Sequence, residues 1–153
     1  MRIETVSTDD TDSVVVRDVT AADAAAVAAL LTELGHPTDE APLPARLDAL
    51  RAEGGAAWLA LDAAGEPLGL MTIAAHAVLH AAGPVALITA LVVTRAARGR
   101  GVGRRLVDDA KRWAAARGCV RLTVTSGEQR ADAHAFYPAC GLAYTGRRFT
   151  TPI

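Results

Sequence analysis

A chain of 153 residues, 51% hydrophobic and 22% charged, has the size of one domain and can bury a core unaided. Its formal net charge of -1 excludes a global basic field for nucleic acid or membrane. No apolar run reaches the ~18 residues of a membrane helix, and the opening residues MRIETVSTDD lack the apolar core of a signal peptide. Cys119 and Cys140, the two cysteines, are too few for a metal cluster or a disulfide framework. The expectation is a cytoplasmic, single-domain protein with no metal, no nucleic-acid partner and no membrane partner. Fifteen arginines stand against one lysine, Lys111, which reads as the base composition of a GC-rich bacterial genome.

Residues 1–13 are polar and acidic and read as a flexible tail, leaving 14–153 as the domain. Val14 to Val19 is β-branched and short, a strand. Thr20, with Asp23 three residues on, opens a helix through Val27, Leu30, Leu31 and Leu34 that stops at Gly35. Pro42 and Pro44 start a second helix carrying Leu43, Leu47 and Leu50. Trp58–Leu61 and Leu68–Ile73 form a hairpin around residues 62–66. The stretch from Ala75 to Pro84 is ambiguous. Val85 to Val93 is nearly all apolar, as in a strand buried on both faces. Gly101 to Arg117 is a helix with Val102, Leu106, Ala110, Trp113 and Ala114 on one stripe. Val120, Leu122 and Val124 alternate with polar residues in a strand. Ala131–Tyr137 is a short helix, and Tyr144–Thr150 a last strand. The order predicts a mixed α/β (α+β) fold, a largely antiparallel sheet flanked by helices.

Chemistry concentrates between Val92 and Leu106, where a buried strand meets a Gly- and Arg-rich turn that opens a helix. Free N–H groups and the positive end of the helix dipole make such a terminus an anion site. Glycines let a phosphate approach the backbone, and arginines add charge-assisted hydrogen bonds. The turn fails both G-x-x-x-x-G-K-[ST] and G-x-G-x-x-G. It matches Arg-x-x-Gly-x-Gly, at Arg98, Gly101 and Gly103. That pattern resembles the pyrophosphate loop of the GNAT superfamily of acyl-CoA-dependent N-acetyltransferases. A second segment, Ala133-His134-Ala135-Phe136-Tyr137-Pro138-Ala139-Cys140-Gly141-Leu142, resembles the family's A-x-x-F/L-Y-x-x-x-G-F stretch. The likeness covers roughly residues 14–150.

The resemblance implies acetyl-CoA as co-substrate and an amine acceptor, either a small molecule or a protein amine. Acyl-CoA would lie where strand 85–93 splays from strand 120–125. Pantetheine would pair with Leu91, Val92 and Val93, and pyrophosphate would meet the amides of Gly99, Arg100, Gly101, Val102, Gly103 and Arg104 beside Arg98. An N–H near Val92 would steady the tetrahedral oxyanion. Tyr137 matches the general acid that protonates the CoA thiolate. Arg130 occupies a pantetheine-contacting position that is Asn in many members. Thr89 and Thr123 stand where many members carry a glutamate base, which leaves His76, His80, Glu128, His134 or a held water as base candidates. Pro138 after Tyr137 is a further departure, able to tilt the phenol or to end the helix early. Homodimers are common in the family. Two other functions stand beside acetyl transfer: a non-catalytic CoA-binding or regulatory domain of the same fold, and a nucleic-acid module using the 95–105 arginines. The second is weakened by the absence of aromatic residues among those arginines.

Overall fold

Among the described residues, five strands form one sheet in the order of the chain, β1 (Val15–Asp18), β2 (Ala56–Leu61), β3 (Pro67–His76), β4 (Val85–Val93) and β5 (Arg121–Val124). The computed structural model describes residues 13–125 and 131–153, with the backbone alone at 131–133; the tail expected over 1–13 lies outside them except for Ser13. The first three pairings are antiparallel, and β4 with β5 is parallel, so the sheet is mixed and largely antiparallel as the sequence suggests. Helices α1 (Ala24–Leu34) and α2 (Leu43–Ala52) precede β2, α3 (Val102–Ala116) connects β4 to β5, and α4 (Ala131–Ala139) follows β5. No described helix is long and apolar enough to cross a membrane.

The apolar residues sort onto the two faces of the sheet. Val27 and Leu30 of α1 pack with Leu59, Leu70 and Val92 on one face, flanked by Leu43, Leu47 and Leu50 of α2. On the other face, Val102, Leu106, Val107 and Ala110 of α3 pack on Met71, Ile73, Ala86 and Ile88. Leu106 is fully buried there, so Leu106→Ala should cost about 2–5 kcal/mol, read as a lowered midpoint in urea unfolding.

Local chemistry fixes the helix ends. Gly35 closes α1 at φ 102°, a left-handed conformation that suits a residue without Cβ. Before α1, the Thr20 N–H and hydroxyl both donate to Asp23 Oδ2, at 2.7 and 3.2 Å. Arg17 adds a two-pronged ion pair to the same carboxylate at 2.7 and 2.9 Å. The Arg17 hydrogen bonds, then those from Thr20, hold the Asp23 carboxyl well below the usual carboxylate range. A carboxylate depressed by folding stabilises the fold above its unfolded pKa of about 3.9, and that contribution fades as acid protonates it.

Three expectations change. No strand forms at Tyr144–Thr150: residues 143–153 carry no regular structure, and Tyr144 and Phe149 are 72% and 91% exposed. β propensity there finds no ladder partner, and without one a strand has nothing to bury or bond. Pro138 does not end α4, which runs on to Ala139, although proline has no N–H to donate to the carbonyl four residues back. Finally, β4 is not buried on both faces throughout, since Thr89 is exposed. The ambiguous 75–84 segment resolves into the end of β3 and the connection to β4.

Candidate acyl-transfer site

Strand β4 is held differently along its two halves. Val85–Ile88 pair with Arg121–Val124 of β5; beyond Ile88 no described strand pairs with β4 on that side. Among the described residues this leaves the β4 edge along Thr89–Val93 unpaired, in the region where the sequence suggested a splay. On its other side β4 carries a bulge. Ile73 faces Ile88 and Thr72 faces Ala90, so Thr89 is an extra residue without a partner. A bulge re-aims a side chain, and here the Thr89 and Thr72 hydroxyls lie 2.6 Å apart.

The open half runs into the Gly-rich turn. Thr94 N–H donates to the Leu68 carbonyl at 2.8 Å, and Arg95 N–H donates to Glu33 Oε1 of α1 at 2.7 Å. Residues Arg95–Ala97 make a single 3-10 turn. Gly99 and Gly101 both adopt φ 80°, which side chains resist. The first bond inside α3 runs from Arg105 N–H to the Gly101 carbonyl, leaving the amides of Val102, Gly103 and Arg104 without an acceptor in their own helix. Arg98 and Arg104 are exposed beside them and Arg100 is partly so. Arg98 Nε also donates to the Val93 carbonyl at 3.2 Å. Arg105 is drawn away into an ion pair with Asp109 at 3.2 Å.

Gly103 has a second task. A Cβ there would sit 3.1 Å from Phe136 Cζ and 3.5 Å from Val93 Cγ2. Its side faces inward, so the start of α3, the end of β4 and helix α4 meet at this glycine. Phe136 in turn holds Tyr137 edge-to-face, with ring centroids 5.3 Å apart. Lys111 secures the far end of α4 by donating to the Cys140 carbonyl at 2.6 Å, the role cations take at helix C-termini. Burial raises the pKa of the Cys140 thiol, so it is a packing residue and a poor nucleophile.

Two recesses flank this framework. A cavity of about 200 Å³ lies between α1, α2 and the sheet, lined by Val19, Val27, Leu31, Leu43, Leu47, Leu50 and Leu70, with Thr72 and Arg46 also in its wall. A groove of about 960 Å³ runs beside β5, lined by Thr123, His134, Tyr137, Lys111, Arg121 and Arg147 among others. Tyr137, Thr123 and His134 therefore come together, whereas Thr89 belongs with Thr72 at the other recess. His76 and His80 are exposed and line neither. Arg130 and Glu128 lie outside the described residues. Among the described residues no group of three or more His, Cys, Asp or Glu could hold a metal ion.

Sequence reasoning missed Glu33, Thr72, Phe136 as a positioning residue, and the cavity leucines as a set. Only Phe136 had a signal, its place before Tyr137 in the second motif. Glu33 and Thr72 act through contacts 62 and 17 residues distant in sequence.

The model of the Acetyltransferase (GNAT) family matches residues 24–142. An aminoglycoside N(6')-acetyltransferase type 1 of Stenotrophomonas maltophilia is 33% identical over 135 residues, covering 86% of this chain and 88% of that protein. N-alpha-acetyltransferase 80 of Mus musculus is 43% identical over 72 residues, 44% of this chain, and the chain spans only 23% of that protein. Among solved structures, AAC(6')-Iy in complex with the bisubstrate analogue CoA-S-monomethyl-acetylneamine superposes with TM-score 0.76 at 23% identity, over 92% of this chain and 97% of that one. The chain belongs to the GNAT acetyltransferase family. It is an N-acetyltransferase.

Proposed function

We propose that the protein transfers the acetyl group of acetyl-CoA to a primary amine by direct attack. The observation that carries this reading is the continuity of the open β4 half, Thr89–Val93, with the α3 N-terminus and its two left-handed glycines. An extended thioester arm can add to a free strand edge through backbone hydrogen bonds, at Leu91, Val92 and Val93. The pyrophosphate can take the amides from Gly99 to Arg104, with Arg98, Arg100 and Arg104 supplying positive charge. Arg98 would exchange its bond to the Val93 carbonyl for the ligand. The S. maltophilia relative and the CoA-analogue complex support a CoA ligand and an amine acceptor by likeness.

In this reading the neutral amine attacks the thioester carbon, the new N–C bond forms, and the C–S bond breaks as the tetrahedral intermediate collapses. A backbone N–H near Val92 stabilises the oxyanion. The departing thiolate takes a proton from Tyr137, whose helix is docked on the cofactor turn through Phe136 and Gly103, and the proton the nitrogen sheds on becoming an amide passes through water to restore the phenol. The proton of the incoming ammonium leaves to a water at the Thr72–Thr89 hydroxyl pair, since no carboxylate lines either recess among the described residues. Cytoplasmic residence belongs to the same proposal.

Acetyl-CoA at about 100 times its Kd should stabilise the fold by about 2.7 kcal/mol, seen as a rise in melting temperature. A melting curve unmoved by millimolar acetyl-CoA would overturn the proposal.

A further inference from the structure

We infer that the acceptor is a small monoamine with an apolar body of about one ring, and not a polycation; this rests on the acetyl-transfer reading above. The cavity between α1, α2 and the sheet is the recess that reaches the bulge of β4. Its wall includes Thr72, and the Thr72 hydroxyl lies 2.6 Å from that of Thr89, the bulged residue. An amine seated at this hydroxyl pair stands at the head of the open strand half. The hydroxyls can accept its N–H groups, while the rest of the molecule extends among Val27, Leu31, Leu43, Leu47 and Leu70.

Size and charge both restrict what fits. The cavity holds about 200 Å³; an apolar cavity of ~150 Å³ accommodates benzene, whereas drug-sized ligands occupy sites of ~300–1,000 Å³. One ring on a short chain fills it, and a three-ring sugar does not. Among the described residues no Asp or Glu lines it, and Arg46 is its one charged lining residue. Arg46 is exposed, and its side chain has no hydrogen bond or ion pair among the described residues, so its charge faces arriving ligands unneutralised. A second cation on the acceptor would meet Arg46 and apolar walls with no carboxylate to receive it. The nearest carboxylates in sequence do not repair this. Asp23 is engaged by Arg17, while Asp39, Glu40 and Asp48 are exposed and absent from the lining. Among the described residues, the larger groove beside β5 offers a polycation no carboxylate either, since its charged lining is Lys111, Arg121 and Arg147. The S. maltophilia relative carries an aminoglycoside, a polycation, in its name; the charge in these two recesses separates this chain from that specificity.

The test compares 2-phenylethylamine with kanamycin and spermidine on the full chain. Two readouts are taken: kcat/KM with acetyl-CoA, and direct binding by calorimetry in the presence of CoA. The expected result is a kcat/KM for 2-phenylethylamine at least about 100-fold above either polycation, with saturable binding only for the monoamine. Arg46→Glu, on the surface, should narrow that gap about tenfold without moving the melting temperature. Leu47→Glu should narrow it from the apolar side by weakening 2-phenylethylamine. Equal or better turnover of kanamycin or spermidine overturns the inference and leaves acetyl transfer to amines standing. Saturable binding of 2-phenylethylamine without acetylation of any amine supports the cavity assignment and overturns the acetyl-transfer reading instead. No binding and no turnover of 2-phenylethylamine overturns the inference.

Discussion

Tyr137→Phe should lower kcat by about 10²–10⁴-fold while changing the Kd for acetyl-CoA by less than about threefold. The substitution removes one hydroxyl and keeps the ring that packs edge-to-face on Phe136. Helix α4 keeps its two anchors, Phe136 against Gly103 and Lys111 on the Cys140 carbonyl, so the fold should not change. The loss therefore reports a proton no longer delivered to the thiolate. The comparison belongs in single-turnover conditions with a good acceptor, where slow product release does not hide the chemical step. Turnover within a factor of about two of wild type would make Tyr137 a packing residue of the groove beside β5.

Gly101→Glu should weaken acetyl-CoA binding about 100-fold or more. Gly101 stands exposed immediately before α3 at φ 80°, and a carboxylate there opposes the pyrophosphate and competes for the helix amides. Loss of one or two charge-assisted hydrogen bonds, at ~1.5–3 kcal/mol each, accounts for that factor. The left-handed conformation by itself costs a side chain about 1–2 kcal/mol. Gly101→Gln bears the same strain without the charge, and it should bind acetyl-CoA within about tenfold of wild type. Equal binding by the Glu and wild-type proteins in calorimetry would remove the pyrophosphate from this turn. Gly103 must be treated differently, although it belongs to the same motif. A methyl group there meets Phe136 at 3.1 Å, so Gly103→Ala should displace α4 and lower kcat more than it weakens CoA binding. The sequence alone suggested that a Gly103 side chain would strike the pyrophosphate; the structure points that side into the junction of α3, α4 and β4.

The element order up to α4 is legible in the chain, because each element carries its own period or its own stop. The stripe Val102, Leu106, Ala110 and Ala114 is helical spacing, and Gly35 and Gly118 mark ends that local backbone geometry enforces. The cofactor turn was legible for the same reason: Arg98, Gly101 and Gly103 lie within six residues, and the anion site they suggest is made by a single helix terminus. Where an element depended on a distant partner, the sequence misled. Tyr144–Thr150 has strand residues but no partner strand among the described residues, and pairing is a property of two segments. The tertiary structure alone decided that Thr89 is the bulged residue and meets Thr72, that Glu33 of α1 reaches the Arg95 amide, and that Gly103 faces Phe136. It also decided the lining of the cavity between α1, α2 and the sheet. Val27, Leu31, Leu43, Leu47 and Leu70 look like ordinary core leucines and valines one by one; only the angle at which two helices meet a sheet leaves a void among them, and a void is made by surfaces that no local stretch of sequence contains.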